Sequence, residues 1–232
     1  MQIIYWSDYA CPYCYIAERR LHNAIKALGM ESEVSLEPRA FELDPGAPKT
    51  VQSDTAHRFA RKYGLPLEQA MAQIAHISAL GREAGIDFRY AETQYTNTFD
   101  AHRLMKLALA SGDRALAART NELLFAAYFT KNLKLAEEST LVEVGREAGL
   151  GEDKILAMLH SDEFATEVRA DERAAAERGV RGVPFFLFPD GMTVPGAISE
   201  HDFRDILQRN RRSAPAAQQC GPEGCAVDFG RK

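Results

Sequence analysis

Two cysteines separated by two residues, Cys11 and Cys14, stand between an apolar run and a long helical pattern. The run Ile3-Ile4-Tyr5-Trp6 predicts a short buried strand, and the pattern from Cys11 to about Gly29 predicts a helix that ends at a glycine. This order places Cys11 at the helix N-terminus, where unpaired N–H groups and the positive end of the dipole stabilise a thiolate. The motif therefore favours folds in which a strand delivers a reactive sulfur to the start of a helix.

We predict that Cys11 is a redox nucleophile and that Cys14, one helical turn further on, resolves a mixed disulfide formed at Cys11. Pro12 suits the first turn of the helix, because its missing N–H costs no hydrogen bond there. Two alternatives stay open at this point. The motif is also typical of half a zinc site, which Cys220 and Cys225 could complete, and of inert buried cysteines.

The next patterns predict a second strand and then a long helical block. Val34 and Leu36 alternate with polar residues, which predicts a strand ending before Pro38, and the resulting βαβ unit is normally parallel and right-handed. Three apolar stripes at helical spacing follow. They are Leu67, Met71, Ile74 and Ile77; Ala101, Leu104, Met105, Ala108 and Leu109; and Leu116, Leu123, Leu124, Ala127 and Tyr128.

Shorter helices are predicted at about 139–149, 151–160 and 162–178, the last with Ser161 as its N-cap. The run Val183 to Phe188, a turn at Pro189-Asp190-Gly191 and Met192 to Val194 predict a hairpin. Ser199 and Asp202 are typical of the start of a last helix, which we expect to end at about Gln208. The order is β-α-β, helical block, β-β-α, which predicts an α/β architecture with two lobes.

The composition and charge of the chain restrict the classes of partner that we expect it to bind. The chain of 232 residues is 46% hydrophobic, enough for a packed core, and its net charge is −5 with no basic stripe. We therefore expect protein or small-molecule partners and neither nucleic acid nor a membrane surface. We also expect a cytoplasmic location, because the first residues lack a secretory signal and pass directly into the first strand. Paired cysteines in that compartment are more often catalytic, sensing or metal-binding than structural.

The residues quoted so far resemble the DsbA-like branch of the thioredoxin superfamily. The resemblance rests on Cys11-Pro12-Tyr13-Cys14 after the first strand, on the helical block and on Gly182-Val183-Pro184-Phe185. Further stretches resemble the FrnE subgroup, which includes cytoplasmic dithiol oxidoreductases. They are Phe41 to Pro45, Asn97 to Arg103, Val168 to Glu172, and the pair Cys220 and Cys225 in a C-terminal extension.

The resemblance implies a thioredoxin-like fold interrupted by an all-helical insertion and followed by a tail. The expected parts are residues 1–47 (βαβ), 48–179 (helical insertion), 180–210 (ββα) and 211–232 (tail with the second cysteine pair). It also implies that Pro184 follows a cis peptide bond and faces the dithiol. Val183 would then present its backbone to an extended client beside Cys11. We expect Tyr13, between the cysteines, to be exposed and to touch substrate.

The favoured function is a protein thiol–disulfide oxidoreductase or disulfide isomerase that needs neither metal nor organic cofactor. Its partners would be proteins carrying disulfides or thiols, with glutathione or the thioredoxin system as electron partner. One alternative is a glutathione-dependent transferase or isomerase of small molecules, although relatives of that type have serine at the position of Cys11. Another is a redox-regulated holdase chaperone or redox sensor that uses the helical lobe.

Three polar residues near the motif are secondary candidates. Asp8 and Glu18 could move protons, but a helix cap or a solvated surface position is the expected role of each. His102 is expected to serve packing rather than chemistry. Most of the aromatic residues around the motif should belong to the core.

The tail carries the last prediction. Cys220 and Cys225 flank Gly221-Pro222-Glu223-Gly224, whose proline and glycine positions predict a β-turn that brings the two sulfurs together. Residues 211–219 are small and polar, which is typical of a mobile linker, and fully extended they span about 30 Å. We therefore expect this second dithiol to exchange with Cys11 and Cys14. An isolated disulfide or a weak metal-ligand pair is the alternative.

Overall fold

The computed structural model describes residues 1–213, except for the side chain of Ser213. The elements in chain order are β1 (Gln2–Ser7), α1 (Pro12–Ala27), β2 (Ser35–Ala40), α2 (Thr55–Tyr63), α3 (Leu67–Glu83), a short 3₁₀ helix (Tyr90–Glu92), α4 (Phe99–Ala110), α5 (Arg114–Phe129), α6 (Glu138–Ala148), α7 (Glu152–Leu159), α8 (Ala165–Glu177), β3 (Phe185–Leu187), β4 (Thr193–Pro195) and α9 (Glu200–Ser213). No helix in this part of the chain is both long and apolar enough to cross a membrane.

The four strands form one sheet in the order β2-β1-β3-β4. β1 pairs in parallel with β2 and antiparallel with β3, and β3 pairs antiparallel with β4. Helices α2 to α8 all lie between β2 and β3 in the chain. The predicted thioredoxin-like fold with a helical insertion is therefore confirmed.

The central strand β1 is buried on both faces, which explains its apolar sequence. Ile3 and Tyr5 point into a core cluster that includes Leu21 of α1 and Phe203 of α9. Trp6 points the other way and packs with Ala175 of α8. β1 thus ends between two packed layers and delivers the motif to the edge of the sheet.

The second strand differs from the prediction. We expected it to end before Pro38, but β2 continues through Pro38 to Ala40 and pairs Pro38 with Tyr5. β2 is the outer strand of the sheet, so only one of its edges is hydrogen-bonded. A proline is tolerated there because its missing N–H can face away from the neighbouring strand.

Helix α1 follows its predicted course. Cys11 is its N-cap in an extended conformation, Pro12 is its first residue, and Gly29 has a φ of +61° just beyond its end. Its buried side chains include Ile16, Leu21 and Ala24. The apolar periodicity therefore predicted both the helix and its core-facing side.

The helical insertion shares one large core cluster with the dithiol. Tyr15 stacks on Phe125 of α5 with ring centroids 5.0 Å apart, and Phe88 stacks on Phe129 at 4.8 Å. One predicted stripe is only half right. In α3, Ile74 and Ile77 are buried, but Leu67 and Met71 are exposed.

The ends of two late helices also differ from the prediction. α8 begins at Ala165, not at 162 behind an N-cap at Ser161, because the Ser161 hydroxyl accepts the N–H of Glu163 at 3.3 Å and closes a separate turn before the helix. Ser199 and Asp202 do cap α9, since the Ser199 hydroxyl accepts the Asp202 N–H at 3.1 Å. α9 then continues past Gln208 to Ser213. Arg211 pairs with Glu33 at 2.7 Å and so holds the last turn against the domain.

Candidate active site

Cys11 lies where the loop after β1 meets α1. Its N–H donates to the carbonyl oxygen of Asp8 at 3.0 Å, which closes the loop and fixes the cysteine at the N-cap position. No side chain caps this end of the helix, so the free N–H groups of the first turn lie beside the Cys11 sulfur. This arrangement stabilises negative charge on that sulfur.

Cys14 lies one turn further on and is more deeply placed. Its N–H donates to the carbonyl oxygen of Cys11 at 3.1 Å, and only 1% of its surface is exposed. Both cysteines are free thiols. Burial, together with the hydrogen bond and charge of the neighbouring Cys11, raises the pKa of the Cys14 thiol well above its ordinary value. Cys14 is therefore held as a thiol, which suits a group that acts second.

The loop before β3 forms the opposite wall of the site. The Cys11 sulfur lies 3.6 Å from the carbonyl oxygen of Val183, and the Val183–Pro184 peptide bond is cis, as the resemblance implies. The carbonyl oxygen of Pro184 accepts the N–H of Gly196 at 2.8 Å, which ties this loop to the end of β4. The backbone of Val183 thus faces the reactive sulfur, while its role in holding a substrate stays a prediction.

Tyr13 projects from the motif. It is 39% exposed, whereas both flanking cysteines are buried. Burial of its inner part and the nearby Tyr63 and Cys11 raise its pKa. The expected exposure of Tyr13 is confirmed, and its contact with substrate stays a prediction.

Asp8 is neither the helix cap nor the solvated surface residue that we expected. It is 2% exposed, and its two carboxylate oxygens accept the N–H groups of Ala10 at 3.1 Å and Leu43 at 2.7 Å. The ring of His102 lies 3.8 Å from one of these oxygens. Burial acts to raise the pKa of Asp8, but the His102 ring and the two N–H groups outweigh it, and the pKa is lowered. Asp8 therefore binds the motif loop to the segment after β2.

Glu18 also differs from its expected surface position, since it is buried against the insertion. One carboxylate oxygen accepts the hydroxyl of Tyr5 at 2.9 Å and the side-chain amide of Asn121. Its other oxygen is buried and has no hydrogen-bond partner. Glu18 lines a cavity of about 580 Å³ between β2 and the helices α4 and α5. Because helical neighbours four apart lie about 5–6 Å apart, Glu18 also neighbours Cys14.

Sequence reasoning missed Asn121. It is 3% exposed on α5, and its side-chain carbonyl accepts the hydroxyl of Tyr9 at 3.0 Å while its amide reaches Glu18. A polar residue between the buried Ala117 and Leu124 was a usable signal, because it interrupts an apolar helix face. The pattern could not show which groups it would bind.

The stretches that resemble the FrnE subgroup meet at the junction of the two lobes. Arg103 donates to the backbone carbonyls of Met158 in the last turn of α7 and of Ser161 and Glu163 beyond its end. Asp171 accepts the guanidinium of Arg39 at 2.9 Å, the N–H of Ala40 at 2.8 Å and the ammonium of Lys106. Arg169 pairs with Glu42. These residues join β2 to the insertion.

His102 has a packing role in this geometry. Its ring is 3% exposed and lies against Tyr9 with centroids 4.9 Å apart. The predicted second pair, Cys220 and Cys225, lies outside the described residues. Within residues 1–213, no group of three or more His, Cys, Asp or Glu side chains is arranged to hold a metal ion.

Comparison with known proteins gives a family match and several structural neighbours. The DSBA-like thioredoxin domain family matches residues 2–208. The structure of a probable DsbA oxidoreductase from Streptomyces coelicolor is 33% identical, with a TM-score of 0.86 over 98% of this chain and 99% of that chain.

Two further structures share the fold at lower identity. A 2-hydroxychromene-2-carboxylate isomerase is 18% identical, with a TM-score of 0.70 over 91% of this chain and 97% of that one. The cytosolic disulfide reductase DsbM from Pseudomonas aeruginosa is also 18% identical, with a TM-score of 0.61 over 91% of this chain and 99% of that one. These two likenesses concern the architecture alone.

Proposed function

Since the chain belongs to the DSBA-like thioredoxin domain family, we propose that it is a protein thiol–disulfide oxidoreductase of the FrnE type with disulfide isomerase activity. The observation that carries the proposal is the placement of two free cysteines at the start of α1, Cys11 as its N-cap and Cys14 in its first turn, with the Cys11 sulfur 3.6 Å from the carbonyl oxygen of Val183. Cys11 is the nucleophile and Cys14 the resolving thiol.

The reaction moves two electrons between client and enzyme. The Cys11 thiolate attacks one sulfur of a client disulfide, a mixed disulfide forms, and the other client sulfur leaves as a thiolate. Cys14 then loses its proton and attacks the Cys11 sulfur. This step forms the Cys11–Cys14 disulfide and releases the second client thiolate, so the client is reduced and the enzyme oxidised. The reverse order of steps oxidises a client dithiol.

Isomerisation uses the first step alone. If the client's own thiol attacks the mixed disulfide before Cys14 does, Cys11 is released as a thiolate and the client gains a different disulfide. The backbone of Val183 and Pro184 would hold an extended client segment during this interval, with Tyr13 beside it. The buried, protonated state of Cys14 delays resolution and so favours rearrangement.

Single-cysteine changes test the assignment. We expect Cys11→Ser to abolish turnover of a scrambled-disulfide client, and Cys14→Ser to accumulate a client adduct at Cys11 while keeping part of the isomerase activity. Both variants should carry Cys220→Ser and Cys225→Ser, so that no tail thiol can substitute. An unchanged rate in Cys11→Ser would overturn the proposal.

The direction of electron flow requires a reduction potential. Titration against glutathione gives it, and a value near that of thioredoxin, about −270 mV, marks a reductase, whereas a much less negative value marks an oxidant or isomerase. We propose glutathione or the thioredoxin system as the electron partner and the cytoplasm as the compartment. The architecture shared with a cytosolic disulfide reductase supports the compartment, and a structure of that reductase with GSH supports glutathione. No metal or organic cofactor enters any step.

A small-molecule isomerase is the competing proposal, because the TM-score of 0.70 to a 2-hydroxychromene-2-carboxylate isomerase exceeds that to DsbM. Changing both Cys11 and Cys14 to serine separates the two. Glutathione-dependent turnover of an aromatic substrate by the double variant would favour the small-molecule reaction. Loss of all turnover would favour dithiol chemistry.

We also propose that Cys220 and Cys225 exchange with the active-site pair. The spacing of the two cysteines around Gly221-Pro222-Glu223-Gly224 supports this proposal. Deletion of residues 214–232 should then slow isomerase turnover, and a Cys14→Ser variant should form an adduct between Cys11 and the tail. Unaltered turnover without that adduct would overturn the exchange.

A further inference from the structure

The exposed large apolar side chains of the described residues are confined to one part of the chain. They come from the start of α1, the segment after β2, the end of α2 and the start of α3: Tyr13, Leu43, Val51, Tyr63, Leu67 and Met71. Among residues 1–213, the helices α4 to α9 contribute none. Exposed apolar groups gathered in one region indicate an interaction surface, because single ones scattered over a protein are ordinary.

This region adjoins the dithiol. The N–H of Leu43 donates to the Asp8 carboxylate at 2.7 Å, so the segment after β2 is bound to the loop that carries Cys11. At the end of α2, the Tyr63 ring lies with its centroid 4.5 Å from that of Phe59, which packs against the core cluster that contains Cys11 and Cys14. A client held at Cys11 would therefore leave the site over Leu43 and α2.

A cavity of about 370 Å³ lies in the same region. Its lining includes Arg58, Arg61 and Lys62 of α2 together with Leu43, Asp44 and Tyr95. The guanidinium of Arg58 lies over the Tyr95 ring at 4.0 Å, and its buried Nε has no hydrogen-bond partner. The Asp44 carboxylate accepts the Tyr95 hydroxyl at 3.2 Å.

The charge of this cavity is opposite to that of the whole chain, which carries a net −5. Within the described residues, Arg58, Arg61 and Lys62 form no ion pair, whereas Arg19, Arg39 and Arg103 each pair with a carboxylate. Asp54, at the start of α2, is occupied by His57. Arg58 and Lys62 lie over the rings of Tyr95 and Tyr63 but have no carboxylate partner among residues 1–213. Cations without a carboxylate partner beside apolar side chains complement an acidic segment that also carries large apolar residues.

We infer that this basic and apolar face, formed by Leu43, Val51, Arg58, Arg61, Lys62 and Tyr63, binds the client polypeptide next to its reactive cysteine and selects acidic, apolar segments. The inference rests on the proposed oxidoreductase function and names its substrate class. A polypeptide fits better than a small anion, because exposed apolar residues are found outside the cavity lining as well, at Leu67 and Met71 of α3, the helix that packs on α2.

Matched peptides test the selection. Two peptides with the same disulfide and the same apolar residues, one with glutamate and one with lysine beside the cysteine, are compared by kcat/KM in the wild-type chain. We expect the acidic peptide to be preferred about tenfold at low ionic strength, and the preference to shrink in 0.5 M salt because exposed charges are screened. Equal rates for both peptides would overturn the inference and leave the oxidoreductase proposal intact.

Charge reversal gives a stronger test. In Arg61→Glu with Lys62→Glu, we expect the preference to change to the basic peptide. Arg82→Glu with Arg119→Glu is the control, because it alters net charge equally at exposed positions on α3 and α5. If the control reverses the preference as strongly, the effect belongs to overall charge and the inference fails.

Glutathione disulfide serves as the small anionic probe. We expect the Arg61→Glu, Lys62→Glu variant to change its turnover much less than that of the acidic peptide. An equal loss for both would show a site for small anions and would overturn the polypeptide assignment. If neither peptide reacts with the wild-type chain, the proposed function itself fails, which is a distinct outcome.

Discussion

Two buried carboxylates flank the dithiol, Asp8 before Cys11 and Glu18 after Cys14, and their surroundings differ. Both oxygens of Asp8 accept a backbone N–H, and the ring of His102 lies nearby. Glu18 has one oxygen bound to side chains and one without a partner, and it lines a cavity. Asp8 therefore has hydrogen-bond partners for both carboxylate oxygens, whereas Glu18 has partners for only one.

This difference in hydrogen bonding indicates that Asp8 and Glu18 have different roles beside the dithiol. Asp8 fixes the loop that positions Cys11, and its lowered pKa keeps it ionised. Cys14 is buried, so its proton must leave whenever it attacks the Cys11 sulfur and must return on reduction. Glu18 neighbours Cys14 on α1 and lines an open cavity, so we expect it to carry that proton.

The largest expected effect concerns the two sulfurs. Burial is the largest cause of the raised pKa of Cys14 and remains when Cys11 is replaced, so the thiolate fraction of Cys14 at neutral pH is small in that variant too. With Cys220→Ser and Cys225→Ser as background, we expect the Cys14→Ser variant, which keeps Cys11, to alkylate at least about 100-fold faster at pH 7 than the Cys11→Ser variant. Faster alkylation of Cys14 would reverse the assigned roles.

The next effect is on stability. Asp8→Asn removes the negative charge and places the side-chain NH₂ group against one of the two buried backbone N–H groups, which then has no acceptor. We expect the free energy of unfolding to fall by about 2–3 kcal/mol, roughly 100-fold in the folding equilibrium. Denaturant unfolding measures this loss. Asp162→Asn, at an exposed position, is the matched control and should change the free energy of unfolding by less than about 0.5 kcal/mol. Equal losses in the two variants would show that Asp8 does not hold the loop.

The pH dependence of that loss has a definite sign. Since the folded-state pKa of Asp8 is lowered, its contribution is complete above the ordinary aspartate value of about 3.9 and is lost as the pH falls through the folded-state pKa. The difference in unfolding free energy between wild type and Asp8→Asn should therefore be constant from about pH 5 to 7 and narrow below about pH 4. A constant difference at all pH values would contradict an ionised Asp8.

Local patterns predicted the elements that bring Cys11 into place. The apolar run of β1, the periodicity of α1 and the capping pair Ser199 and Asp202 all act over a few residues, and each appears in the structure. The end of β2 at Pro38 was predicted wrongly. A proline in the sequence indicates a missing N–H donor, but the sequence does not show whether its strand lies at the edge of a sheet, where that loss is tolerated.

The surroundings of the dithiol could not be predicted in the same way. Glu18 and Asn121 are 103 positions apart, and only the packing of α5 against α1 brings them together. Asp8 and Glu18 were expected to be helix caps or solvated surface residues, because carboxylates are rarely buried without partners, and their partners come from distant segments. Tertiary contacts therefore decided which polar groups belong to the site.

The smallest expected effect tests the second carboxylate. Glu18→Gln keeps the size of the side chain and its bonds to Tyr5 and Asn121 but cannot accept a proton. We expect decay of the mixed disulfide to slow by about tenfold, less than the usual 10²–10⁴ for a proton-transfer group, because the open cavity admits solvent. Single-turnover decay of the mixed disulfide, followed at several pH values, measures the slowing. The pH profile of this decay should change shape, which a merely structural loss would not cause.

Glu31→Gln, which also removes a carboxylate from the cavity lining, is the control. If Glu18→Gln and Glu31→Gln both decay at the wild-type rate, Glu18 does not carry the proton, and the two carboxylates differ only in their hydrogen bonds.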